Sequence, residues 1–252
     1  MYRLQSVGAD PEGFALHPEA QYVPAVVFMA DGKGEAPVHA DCCCVEMVVP
    51  YAMNRTDFVT NVLTMRDEVR AMLDGYGMTP VWKTTAPMNP EFLGDHRTNQ
   101  AGCDPDTNVY TGTASRPRDF PGSDRYAGGH VHVGYEGSKD SDGLKNVTKA
   151  FEILHGTVGA LLDEDTKRRQ MYGAAGAVRP KEYGVEIRSP SNWWVTSVSR
   201  IEFTYECVRK AVEEWHTLVD KVSDAVIQDV LNNRNLREAR NIINALKLEV
   251  VQ

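Results

Sequence analysis

Three short stretches place ionisable side chains two residues apart: Asp10-Pro11-Glu12, His130-Val131-His132 and Glu186-Ile187-Arg188. A fourth, Cys44-Val45-Glu46-Met47-Val48, sets one carboxylate in an apolar run. Side chains alternate faces along a strand, so residues two apart project to the same side. Asp10 and Glu12 then share a face. The two imidazoles share one opposite Val131 and Val133, and Glu186 and Arg188 share one opposite Val185 and Ile187. If these faces converge, Asp10, Glu12, Glu46, His130 and Glu186 make a site rich in carboxylate oxygens, with one or two imidazole nitrogens. Hard oxygen donors suit Mg²⁺ or Mn²⁺ better than Zn²⁺. Carboxylates crowded together repel and raise one another's pKa; divalent ions relieve that repulsion and can bridge a polyphosphate.

The elements that must position these groups are legible as periodicity. Helical stripes run through 56–76 (Phe58, Val62, Val69, Met72, Leu73), 144–162 (Leu144, Val147, Phe151, Leu154, Val158, Leu161) and about 198–231 (Val208, Val212, Trp215, Val219, Val222, Val226). A final short helix carries Leu236, Ala239, Ile242, Ile243 and Leu246. Extended segments lie at 4–14, 37–50, 79–84, 130–135 and 183–189. Glycine and proline clusters predict loops at 31–37, 84–92, 116–129 and 173–180. Short strands among long helices, without regular strand-helix alternation, predict an α+β fold with mostly antiparallel pairing. Residues 1–252 read as a single domain with a helical C-terminal part from about 198 to 252.

The chain has 252 residues, 42% of them hydrophobic, with 27 Lys and Arg against 35 Asp and Glu for a formal charge of −8. That balance weighs against bulk nucleic-acid binding, which needs excess cations. No run approaches the ~20 apolar residues of a membrane span, and the N-terminus lacks a signal-peptide core, so a cytoplasmic protein is expected. The five cysteines are an odd number. Cys42, Cys43 and Cys44 read as reduced, buried residues of a strand, and no CxxC spacing indicates structural zinc.

The ordered set GADPE, CCCVEM, GCDPDTNVYTG, AGGHVHVG and LLDEDTKRRQMYGAAGAVRPKEYGVEIRSPSN resembles the phage-type COOH-NH2 ligase (amidoligase) family, over residues 8 to 194. That family belongs to the glutamine synthetase and γ-glutamylcysteine ligase superfamily. The resemblance implies an ATP- and Mg²⁺-dependent (or Mn²⁺-dependent) carbon-nitrogen ligase joining a carboxylate substrate to an amine substrate. Its sheet would be curved, with a polar concave face backed by helices, and if phage-encoded it would work in the host cytoplasm. By motif position Asp10, Glu12, Glu46, His130 and Glu186 match metal ligands, and Arg188 matches an arginine that contacts phosphates. The stretch holding Lys167, Arg168, Arg169, Arg179 and Lys181 occupies the place of nucleotide-phosphate cations, with Arg169 and Arg179 favoured. Asp104 and Asp106 are candidates to hold the amine and take its proton, or else cap a turn beside the prolines. His132 orients substrate or supports a ligand from behind, and the loops around Asp104 and Arg125 supply specificity.

Asp-x-Glu stands in the first strand where better-known synthetases of the superfamily have Glu-x-Glu. Asp41, five residues before Glu46, points to the opposite face if that strand is regular. Two other functional classes fit some of the same residues. A metal-dependent hydrolase would use His130 and His132 on Zn²⁺ with Glu186 activating water, and a non-catalytic phage protein would retain the scaffold alone. Oligomeric state is left open.

Overall fold

A computed structural model of the chain describes residues 2–19, 21–30, 36–99, 106–115, 120, 122–163 and 166–251. Its strands are β1 (Arg3–His17), β2 (Gln21–Val23), β3 (Val38–Asp41), β4 (Cys44–Met47), β5 (Val49–Ala52), β6 (Thr79–Val81), β7 (Thr85–Pro87), β8 (Asp106–Asn108), β9 (Ala114–Ser115), β10 (Asp124–Tyr126), β11 (Gly129–Glu136), β12 (Ala177–Lys181) and β13 (Gly184–Ile187). The helices are α1 (Ala25–Phe28), α2 (Arg55–Asp74), α3 (Ser141–Phe151), α4 (Thr157–Leu162), α5 (Lys167–Met171), α6 (Val198–Glu213), α7 (Asp224–Asn232) and α8 (Leu236–Leu246).

The fold is mixed α and β, a large antiparallel sheet backed by helices. The strands run in the order β3-β4-β1-β11-β13-β12-β8-β9, with β2, β5 and β6 also paired to the long β1. Strands β7 and β10 form a separate two-stranded ribbon. Alternation does the sorting. Val7 and Ala9 of β1, Val45 and Met47 of β4, Val131 and Val133 of β11, and Val185 and Ile187 of β13 are buried in one core. Phe58 and Val62 of α2, Val147 and Phe151 of α3, and Ile201 and Val208 of α6 join them there. Each such fully buried side chain contributes about 1.5–3 kcal/mol. Burying the apolar half of the alternation turns the polar half to the other face of the sheet.

The longer helices start where side chains cap them. Asn54 accepts from Asp57 N at 2.9 Å, Asp140 from Gly143 N at 2.8 Å and Ser197 from Arg200 N at 3.4 Å. No helix among the described residues is long and apolar enough to cross a membrane.

Several sequence expectations change. The stripe over 198–231 is not one helix: α6 ends at Glu213, short 3-10 turns follow, and Ser223 accepts from Val226 N at 3.3 Å to start α7. The stripe over 144–162 is interrupted by a π turn, Glu152–Gly156. The expected loop 173–180 contains most of β12, because the chain straightens past Gly176 to pair with both β8 and β13. The expected loops around 84–92 and 116–129 contribute the β7–β10 ribbon. The segment 37–50 is three short strands. Asp41 pairs with Cys44, so Cys42 and Cys43 form a two-residue turn, with Cys42 at φ +53°. Of the three cysteines only Cys44 lies in a strand. All three carry free thiols, as does Cys207, and Cys43 and Cys44 are buried.

Candidate metal and anion site

Strand register brings the acidic and basic residues together. Along β1 and β11 Asp10 lies opposite His130, and across β11 and β13 His132 lies opposite Glu186. Glu186 lies opposite Arg179 of β12, and on the other side of β1 Glu12 lies opposite Glu46 of β4. Two clusters result. Potential ligand atoms of Asp10, His130 and Glu186 lie within 4.8 Å of one another, as do those of Glu12, Asp41 and Glu46.

In the first cluster His130 Nδ1 is 3.3 Å from Asp10 Oδ1, and His132 Nε2 is 3.1 Å from Asp10 Oδ2. Glu186, 1% exposed, is surrounded by cations: Arg188 donates to Oε1, Arg179 reaches Oε1 at 3.1 Å and Lys181 reaches Oε2 at 3.0 Å. Arg188 also approaches His130 Nδ1 at 3.4 Å and Asp106 at 3.6 Å. Burial works against ionisation of Asp10, but the imidazoles of His132 and His130 outweigh it and hold the carboxyl well below its usual range. Burial also opposes the charge on Glu186, as does Asp10, yet His130, Arg188 and Arg179 bring its pKa down. His130 is lowered to about 4 by burial and by Arg188, so its ring is neutral and able to act as a ligand.

The second cluster has far less positive charge. Glu12 accepts from Gly128 N, and from Tyr172 Oη at 3.1 Å. Burial first, then the charges of Asp41 and Glu46, push it up to about 8. Glu46 is pushed up to about 7 by burial, with Asp10 and Asp41 adding to the shift and the hydrogen bond from His39 opposing it. His39 Nε2 stands 3.6 Å from Glu46 Oε2.

Asp41, expected on the opposite face, and His39, not singled out by the sequence, join this cluster because residues 38–47 are two strands and not one. The turn at Cys42 and Cys43 folds β3 back on β4, placing His39 opposite Glu46 and Asp41 on the same face. The length of the turn was the missing signal, and Cys-Cys does not advertise a turn as Asn-Gly would.

Asp10, Glu12, Glu46, His130, His132, Glu186, Arg188, Arg179, Lys181 and Asp106 thus meet on one face. Arg125 and Arg169 do not. Arg125 sits in the β7–β10 ribbon, and its guanidinium donates to the carbonyls of Thr98, Gly122 and Asp124 and to Asn99 Oδ1. Arg169 donates to the carbonyls of Gly173 and Ser189, and burial beside Arg168 lowers it to about 10. Arg168 donates to the carbonyls of Arg188, Ser189 and Pro190. These three arginines brace loops. Lys167 pairs with Asp124 at 2.9 Å. Asp104 lies outside the described residues.

The arrangement can bind hard cations through carboxylates, and anionic oxygens through Arg179, Lys181 and Arg188. A scan against protein-family models and a search of curated proteins return no match to this chain.

Proposed function

We propose that this chain is an ATP- and Mg²⁺-dependent ligase that forms an amide between a carboxylate and an amine, on a glutamine synthetase-like sheet of the phage-type amidoligase kind. The observation that carries the reading is the meeting of two carboxylate clusters and three cations on a single polar face, drawn from the six strands β3, β4, β1, β11, β13 and β12. The residues fit divalent ions. Asp10 Oδ1 is buried and accepts no hydrogen bond, and Glu12 and Glu46 resist ionisation until positive charge arrives. Asp10, His130 and Glu186 would hold one ion; Glu12, Asp41 and Glu46 would hold another. Bound ions supply charge neutralisation for phosphoryl transfer from ATP to the carboxylate, which converts a poor acyl donor into one with a good leaving group.

The chain's own side chains do the remainder. Arg179, Lys181 and Arg188 offer donors to anionic oxygens, and fixed donors in a site shielded from water stabilise charge better than water does. Glu186 and Asp106 hold the Arg188 guanidinium from two sides. Asp106, buried and 3.6 Å from Arg188, would take the ammonium of the amine and accept its proton.

A zinc hydrolase built on His130 and His132 has less behind it. His132 Nδ1 is taken up by Tyr183, and Glu186 is bound by cations rather than placed to activate water. Calorimetric titration with Mg²⁺-ATP and an assay of substrate-dependent ADP release test the ligase reading. Binding and turnover are expected, and Glu186→Ala should abolish turnover while circular dichroism stays unchanged. No affinity for ATP in the presence of Mg²⁺ would sink the proposal.

A further inference from the structure

His132 is tied to a residue outside both clusters. Its Nε2 stands 3.1 Å from Asp10 Oδ2, its Nδ1 lies 2.7 Å from Tyr183 Oη, and the two rings stack at 6.2 Å with planes 19° apart. Tyr183 occupies the two-residue turn between β12 and β13, where Lys181 pairs with Gly184. Its backbone is held in place. The Tyr183 carbonyl accepts from Tyr135 N at 3.0 Å, and at the next residue, Gly184, a Cβ would meet the Val133 carbonyl oxygen at 2.1 Å. The turn is therefore pressed against β11, with the phenol beside His132.

The placement of the His132 ring follows from its neighbours. Its Nδ1 is held by the Tyr183 hydroxyl on one side, and its Nε2 faces Asp10 Oδ2 on the other. Asp10 Oδ1 is the other oxygen, buried, accepting no hydrogen bond and facing His130.

We infer that Tyr183 and His132 are positioning residues of the first cluster: the Tyr183 hydroxyl fixes the His132 ring against Asp10 Oδ2 and so leaves Oδ1 to a divalent cation. This rests on the metal-binding reading of Asp10, His130 and Glu186. It gives His132 a role behind a ligand rather than on a substrate, and it adds a residue that no spacing pattern singles out. Partners of this kind change metal affinity by about 10- to 100-fold when removed, because they fix the direction and basicity of the ligand they touch.

Mn²⁺ binding followed by electron paramagnetic resonance tests it without any turnover. Asp10→Asn identifies the class of bound Mn²⁺ that belongs to this cluster. Tyr183→Phe keeps the ring and removes only the hydroxyl, at a position 43% exposed where the fold tolerates the change. It should weaken that class about tenfold, and His132→Ala should weaken it at least as much. The double variant should bind no more weakly than His132→Ala alone, because both side chains act through the same carboxylate oxygen. Unchanged affinity in Tyr183→Phe, or fully additive losses in the double variant, overturns the inference while the metal reading stands. A wild-type protein that binds no Mn²⁺ overturns both.

Discussion

The two carboxylate clusters that flank β1 are balanced in opposite ways. Asp10 and Glu186 are surrounded by His130, His132, Arg179, Lys181 and Arg188, and both carboxyls are easier to ionise than usual despite burial. Around Glu12 and Glu46 burial prevails over the nearby positive charge, with His39 3.6 Å from Glu46 and Arg168 acting on Glu12, and both carboxyls are harder to ionise. In one cluster the carboxyls are kept ionised by the groups around them. The other must take up a proton or a cation. The difference lies in sheet order: β13 and β12, with their arginines and lysine, flank the first cluster, whereas the second lies toward the β3 edge, beside His39.

The largest test of this contrast is the stability of the metal-free protein against pH. A carboxyl whose pKa is raised by folding contributes its stability below the unfolded value and loses it as pH rises through the folded value. For Glu12 that window runs from 4.5 to about 8, and for Glu46 from 4.5 to about 7. Metal-free protein should therefore lose stability, by several kcal/mol, between pH 5 and 8.5, and Glu12→Gln should remove much of that slope. Asp10 and Glu186 have lowered values and act with the opposite sign. Their contribution is present above the ordinary values of 3.8 and 4.5 and is lost as pH falls below them. Urea melts across pH check both arms, and a wild-type stability that climbs from pH 5 to 8.5 would break the contrast.

Metal should act in the same direction at a single pH. Binding at the second cluster must expel the protons that raised pKa values retain, so at pH 7 Mn²⁺ uptake should release about one proton per protein. Calorimetry in buffers of different ionisation enthalpy measures this, and Glu12→Gln should lower the number. A release that is the same in the variant would mean the proton comes from elsewhere.

Smaller still is the effect of Asp41→Asn. It should weaken one class of Mn²⁺ sites by about tenfold and leave the class removed by Asp10→Asn untouched. If both classes weaken together, the clusters are one site and the division is wrong. The smallest effect concerns the turn that carries Asp41 into place. Cys42 adopts φ +53°, a region that costs a non-glycine residue about 1 kcal/mol, so Cys42→Gly should stabilise the protein by up to about that amount in thermal melts. Destabilisation would show that the hydrogen bond from Cys42 Sγ to the Thr98 carbonyl at 3.4 Å matters more than backbone strain.

What the sequence made legible was the local part. Alternation in β1, β11 and β13 placed Asp10, Glu12, His130, His132, Glu186 and Arg188 on one face, and burial of the intervening valines and isoleucine enforces it. The stripes of α2 and α8 were readable for the same reason, a period that one element imposes on itself. What escaped depended on how elements meet. Asp41 joined the second cluster through a turn of two cysteines, residue types that carry no turn signal. Arg179 and Lys181 were candidates by their place in the chain, but the strand that brings them to Glu186 was not foreseen, because residues 177–181 find partners on both flanks, which no local propensity announces. Arg125 and Arg169 had the right charge in the right stretch of chain. Backbone carbonyls, local ones of Gly122, Asp124 and Gly173 and distant ones of Thr98 and Ser189, claimed them, and charge alone does not tell a phosphate contact from a loop brace.

Strand β1 also works as a ruler. Asp10 and Glu12 are two residues apart on a single extended segment, a separation of about 6.8 Å along the backbone, and each leans toward a different neighbour. The interval between the clusters is thus a property of the main chain, held by ladders on both sides of the strand, and side-chain rotamers adjust it only slightly. A longer or shorter carboxylate at either position would move one cluster without resetting the interval. A register slip of β1 by one residue would instead turn both carboxylates toward the helices together.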